Sequence, residues 1–161
     1  MQDAGKEACV PTIRLVTQID APVERCFDLA RSVDAHTDST AQTRERAVGG
    51  VTAGLLECGD VVTWEAVHFG VRQRLTVRIT ELDWPHWFVD ELVRGAFREL
   101  RHVHEFAERD GGTRMVDTFA FESPFGPVGQ LVNALVLTRY MRAFLRVRNT
   151  YLKRVAEAGH T

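Results

Sequence analysis

The chain has 161 residues, 45% of them hydrophobic and 26% charged, with a formal net charge of −2. That length supports one hydrophobic core of ordinary size and falls short of two, and the balance is that of a soluble globular protein. A pI near 6.3 lacks the basic excess of nucleic-acid-binding domains, so no nucleic acid is expected as a partner.

No window of the sequence reaches the length of a membrane span, and the N-terminal MQDAGKEACV carries acidic residues and no signal-like apolar run. Cys9, Cys26 and Cys58 are an odd set without C-x-x-C spacing. They predict neither a disulfide framework nor a zinc knuckle, and they fit a reduced cytoplasmic location.

Residues 1–11 read as a loose N-terminal arm, 12–158 as one domain and 159–161 as a tail. In TIRLVTQI, Ile13, Leu15 and Thr17 alternate against Arg14, Val16 and Gln18, which predicts a first strand. DAPVERCFDLAR then has a helix start: Asp20 can cap, Pro22 suits the first turn, and Val23, Cys26, Phe27 and Ala30 share one helix face. A second short helix is expected near SVDAHTD, where Ser32 and Asp34 offer caps.

From Thr43 the pattern changes to strands parted by turn residues. Breaks fall at Gly49–Gly50, Gly59, Gly70, Trp84–Pro85, Gly95 and the hairpin signal Asp110–Gly112. In VRQRLTVRITEL, Gln73, Leu75, Val77 and Ile79 face one way while Arg72, Arg74, Thr76 and Arg78 face the other, so this sheet has one wet and one covered face. Short loops between successive strands predict an antiparallel meander.

From Val128 to about Ala158 the apolar positions Leu131, Ala134, Leu137, Met141, Leu145 and Leu152 recur at helical spacing. Arg139, Arg142, Arg146 and Lys153 take the charged positions. The order is therefore α+β: a strongly curved antiparallel sheet of about seven strands, two short helices after the first strand, and a long C-terminal helix across the concave face.

This order, with APVERCFDLA after the first strand and LVNALVLTRYMRAFLRVRNTYLKRV at the end, resembles the helix-grip fold of the START and birch-pollen-allergen-like (SRPBCC) superfamily. GDVVTWEAVHFG, FVDELVRGAFRELRHVHEF and SPFGP are similar to blocks of its bacterial polyketide cyclase/dehydrase and lipid-transport-like branch. The resemblance spans Thr12 to Ala156. It implies an apolar cavity between sheet and helix that accepts a hydrophobic small molecule such as a polyketide, lipid, isoprenoid or aromatic compound.

Alternation selects the residues facing that interior. Leu100, His102, His104 and Phe106 share a face, as do Met115, Asp117, Phe119 and Phe121, and Val62, Trp64, Ala66 and His68. The predicted lining is Trp64, His68, Gln73, Leu75, Glu91, His102, His104, Phe106, Asp117, Phe119, Met141 and Leu145, which is too polar for a core without partners.

Three chemistries fit the His-x-His pair. A metal site needs a third ligand, and none follows at a diagnostic spacing, so no metal or cofactor is predicted. A histidine paired with Asp117 could move protons in a cyclase or dehydratase, which makes His102, His104 and Asp117 the catalytic candidates. Alternatively the group is the polar spot of an apolar pocket that orients a ligand oxygen. The aromatic turn Trp84–Trp87 reads as a cavity rim, a homodimer contact or the docking surface of a protein-interaction module.

Overall fold

A computed structural model describes residues 10–122 and 127–159, the side chains of 127–134 excepted. Most of the expected N-terminal arm and most of SPFGP lie outside the described residues.

Strand β1 (Thr12–Ile19) leads into α1 (Val23–Ala30), whose buried face is Val23, Cys26, Phe27 and Ala30, the stripe expected from the sequence. The expected Asp20 cap is not made. Pro22 occupies the cap position without a side-chain bond, and the Asp20 backbone N–H instead donates to Glu157 Oε1 at 2.9 Å. Ser32 does cap α2 (Val33–Ser39), its Oγ accepting the Ala35 N–H at 3.2 Å.

A 3₁₀ turn (Ala41–Thr43) precedes β2 (Arg46–Gly50). Gly50 has φ +69, and a Cβ there would collide with the Val61 carbonyl, so the turn from this edge strand needs glycine. Then come β3 (Val61–His68), β4 (Val71–Asp83), β5 (Trp87–Arg94), β6 (Glu99–Arg109) and β7 (Gly112–Glu122). Asp110 and Gly111 both have positive φ, the geometry that turns a two-residue hairpin between β6 and β7.

All neighbours in the sheet are antiparallel, in the order β1-β7-β6-β5-β4-β3-β2. Register shifts in β2–β3 and β4–β5 mark bulges, which bend strands. The two helices carry the chain from β1 to the opposite edge, and α3 (Pro127–Ala158) returns along the covered face. Its residues Leu145, Leu152 and Ala156 are buried in the core with the inward residues of the sheet.

That core is solid at one end only. Phe27 of α1 is fully buried and meets Phe88 and Phe106 edge-on at ring separations of 5.3 and 5.2 Å. Phe106 was expected in the cavity wall; it belongs instead to this aromatic plug, because α1 covers the end of β6 before α3 can leave a gap. At the other end no short helix of the described residues fills the space.

Candidate functional site

A cavity of about 580 Å³ occupies that open end. Strands β3 and β4 contribute Trp64, Ala66, His68, Gln73 and Leu75; the β5–β6 connection gives Phe97; α3 gives Leu137, Tyr140, Met141 and Phe144. Trp64, Leu75, Met141, Phe144 and Glu45 also bound a smaller recess of about 100 Å³ that reaches inward to Asp90, His102, His104, Phe119, Leu145 and Arg148. Apolar walls thus lead to a polar floor.

The floor follows from strand register. His104 pairs across the sheet with Asp117 on β7 and Phe88 on β5, and His102 with Phe119 and Asp90. Alternation turns all four polar side chains to the concave face. His102 Nε2 lies 3.0 Å from Asp117 Oδ1, and His104 Nε2 lies 2.9 Å from Asp90 Oδ1. His104 Nδ1 is also 2.9 Å from Asp117 Oδ1 but is not aligned for a hydrogen bond. The imidazole rings are 3.8 Å apart.

The long helix completes the cluster. Asn149 Nδ2 donates to Asp117 Oδ2 at 2.7 Å, and the Arg148 guanidinium stands 3.6 Å from Oδ1 while donating to the Ala30 carbonyl at 3.1 Å. Asp117 itself is fully buried and sits behind the histidines rather than in the cavity wall.

The surroundings separate the two histidines electrically. Burial pushes both imidazoles down, and the neighbouring charge of His104 adds to this at His102, leaving it below the ordinary histidine value despite Asp117. At His104 the close carboxylates of Asp117 and Asp90 outweigh burial and raise it. Burial disfavours the Asp117 carboxylate, but His102 and His104, at 3.0 and 2.9 Å from its Oδ1, hold its carboxyl well below the usual range. Asp90 is lowered for the same reason: the hydrogen bond with His104 overcomes its burial, helped by the positive charges that surround it in the cluster, Arg148 among them.

The shifts favour ionised Asp90 and Asp117, balanced by Arg148 and, below its raised pKa, by His104, while His102 is the ring held toward its neutral form. Because a carboxylate only accepts, His102 Nε2 carries the ring proton toward Asp117 and Nδ1 is left as an acceptor.

Asp90, His102 and His104 could also hold a cation, since one ligand atom from each lies within 4.8 Å of the others. The third ligand absent from the sequence spacing is thus supplied by β5. Two of those atoms are already joined to each other, His104 Nε2 lying 2.9 Å from Asp90 Oδ1.

A chain that folds this way can be compared with known proteins. Residues 11–157 match the model of the family described as polyketide cyclase / dehydrase and lipid transport. The chain belongs to that family. Among solved structures, TTHA0849 from Thermus thermophilus superposes with a TM-score of 0.70 at 21% identity, covering 91% of this chain and 99% of that one. Protein Ms6760 from Mycobacterium smegmatis gives 0.69 at 19% identity, with 94% of each chain covered. Ara h 8.0201 gives 0.61 at 16% identity over 89% of this chain and 97% of its own. At these identities the likeness shows the helix-grip α+β fold. No curated protein matches the chain.

For this polyketide cyclase / dehydrase and lipid transport family member, the predicted residues divide by location. Trp64, His68, Gln73, Leu75 and Met141 line the main cavity; His102, His104, Phe119 and Leu145 line the recess. Glu91, expected inside, is on the convex face, where its Oε1 accepts from Arg101 Nε at 3.2 Å. Asp90 takes the inward place. Both registers of WFVDELVRG carry apolar residues, Phe88 and Leu92 against Val89 and Val93, so alternation there did not choose between the two acids.

Asn149 and Arg148 also escaped the sequence reading, because a polar residue on an amphipathic helix is by default on its wet side. At the cavity's outer part His68 Nδ1 pairs with Tyr140 Oη at 2.7 Å. Burial lowers the His68 imidazole and raises the Tyr140 phenol.

Proposed function

We propose that this chain binds a hydrophobic small molecule, of polyketide, fatty-acyl, isoprenoid or aromatic type, with its body in the 580 Å³ cavity and one polar end toward the recess. The observation that carries this reading is the joining of a mostly apolar cavity to a single buried polar cluster, the usual composition of a ligand site. Neutral His102 offers an acceptor to a ligand hydroxyl, and the aromatic walls of Trp64, Phe97 and Phe144 suit a flat or extended apolar body. Work in the cytoplasm fits the same reading.

Native mass spectrometry of the protein purified from its own host tests it. Retention of an apolar compound of matching volume is expected. A cavity that stays empty and takes up no apolar probe would sink the proposal.

One observation favours a second reading, a cyclase or dehydratase. His102 and His104 stand side by side with rings 3.8 Å apart, one pKa lowered and the other raised, and a pair of groups pushed apart in this way beside one recess is what proton transfer on a poly-β-ketone requires. Turnover of such a substrate, lost on replacing both histidines while binding persists, would identify catalysis; unchanged turnover would exclude these residues from it.

A further inference from the structure

The wall shared by the cavity and its recess contains a carboxylate that the cluster does not use. Glu45 joins the 3₁₀ turn to β2 and is only 8% exposed, yet it borders both spaces. Its Oε1 is 3.3 Å from His36 Nε2, short of hydrogen-bond alignment, and its Oε2 has no hydrogen-bond partner among the described residues. A buried carboxylate oxygen without a donor is costly, and native folds rarely leave one so unless something else fills the place.

Backbone and neighbours hold it there. Arg44, immediately before it, has the left-handed φ of +52 that non-glycine residues seldom adopt, and the His36 ring stacks on Trp64 at 4.1 Å. Strain of this kind persists only where the surrounding structure imposes it.

The other charges around the two spaces are matched. Arg31 is paired with Asp28 and Glu57 at 2.8 and 2.6 Å, Arg74 with Glu65 at 2.9 Å, Arg148 with Asp117, and Asp90 with His104. Among the described residues Glu45 is thus the carboxylate of these walls with an oxygen left open to a ligand, set among Trp64, Tyr140 and Phe144, with the equally unpartnered His36 Nε2 beside its other oxygen.

We infer that the ligand carries a hydrogen-bond donor, a hydroxyl or a protonated amine, that meets Glu45 Oε2, and that acceptor-only heads such as carboxylates are rejected. This inference rests on the binding reading above and narrows it to donor-bearing apolar molecules. A hydrogen bond to a charged, desolvated acceptor is strong enough to separate donor from non-donor ligands about tenfold.

The test is equilibrium dialysis of the full chain and its Glu45→Gln variant against four naphthalenes of similar size: 2-naphthol, 2-naphthylmethylamine, 2-methoxynaphthalene and 2-naphthoate. In the unaltered protein, naphthol and the amine should bind about tenfold more tightly than the methoxy compound, with naphthoate weakest. In Glu45→Gln the amine-to-naphthoate ratio should fall about tenfold or more, since the like charge that repels the acid is gone. Naphthol binding no tighter than the ether, or an unchanged ratio in the variant, would overturn the inference while leaving the binding site intact. If none of the four binds, the cavity reading fails and this one with it. The native-protein series decides the matter even if the variant does not fold.

Discussion

Asn149 Nδ2 donates to Asp117 Oδ2 at 2.7 Å, so the long helix is tied to the sheet through the one oxygen of Asp117 that the histidines leave free. Oδ1 faces His102 and His104, with Arg148 beyond. A single buried carboxylate therefore holds the His102 ring, faces His104 and fixes the position of α3 above them. The polar floor of the cavity and the seam between sheet and helix are one structure.

Replacing Asp117 with asparagine should destabilise the protein by about 3–5 kcal/mol at neutral pH, since it takes the buried carboxylate away from the buried Arg148 guanidinium 3.6 Å from it and from the two histidines it faces. The Asp117 pKa is depressed in the folded state, so its contribution is present above the unfolded value of about 3.9 and is lost as pH falls through the lower folded value. The difference between parent and variant in urea unfolding should accordingly be largest at neutral pH and shrink in acid. A difference independent of pH would mean that Asp117 acts by shape alone.

The two histidines should titrate apart. His104, raised, keeps its proton above the ordinary value of about 6.5, and His102, lowered, loses its proton below it. In linkage terms His104 stabilises the fold fully below about 6.5 and ceases to as pH rises through its folded pKa. His102 does the reverse: its contribution is full above about 6.5 and fades as pH falls through its folded value. Ring-nitrogen NMR between about pH 4 and 9 reads this directly as two macroscopic steps of a coupled pair. Two superimposed curves near 6.5 would contradict the arrangement.

Much of this was legible in the sequence, and the parts that were not share a cause. Strand alternation placed His102, His104 and Asp117 on one face, because β6 and β7 each have one plainly apolar register, such as Met115, Phe119 and Phe121. Asp90 was missed where both registers of β5 are apolar. Arg148 and Asn149 were not legible because helical periodicity reports hydrophobicity, and a buried polar residue on an amphipathic helix carries none of that signal. Glu45 lies in a connection with no regular period and His36 on a helix of two turns, too short for a period to show, while strand alternation in β6 does not say whether α1 or α3 covers Phe106.

The plug itself has a measurable weight. Phe27 is fully buried against Phe88 and Phe106, so Phe27→Ala should cost about 3–5 kcal/mol in denaturant unfolding, the range for an aromatic removed from a packed core. A loss under about 1 kcal/mol would mean the site collapses and that end of the core is not solid. Phe27 touches neither space, so ligand affinity at temperatures where the variant stays folded should be close to that of the parent.

Filling the cavity should separate binding from stability in the opposite direction. Ala66 is buried on the inward face of β3 and walls the 580 Å³ space, so the larger ring of Ala66→Phe has room to enter without displacing packed neighbours. Burying the new apolar surface offsets the usual penalty of overpacking, which arises only where no space exists. Thermal stability should therefore be retained or raised, while affinity for 2-naphthol falls at least about tenfold because the ring occupies the ligand's volume. The paired measurement, a melting curve and an equilibrium dialysis on the same preparation, discriminates two outcomes. Stability lost together with binding would show that the space is not open in solution. Stability kept with affinity unchanged would show that the ligand lies elsewhere, and the candidate residues from Trp64 to Phe144 would then lose their claim to hold it.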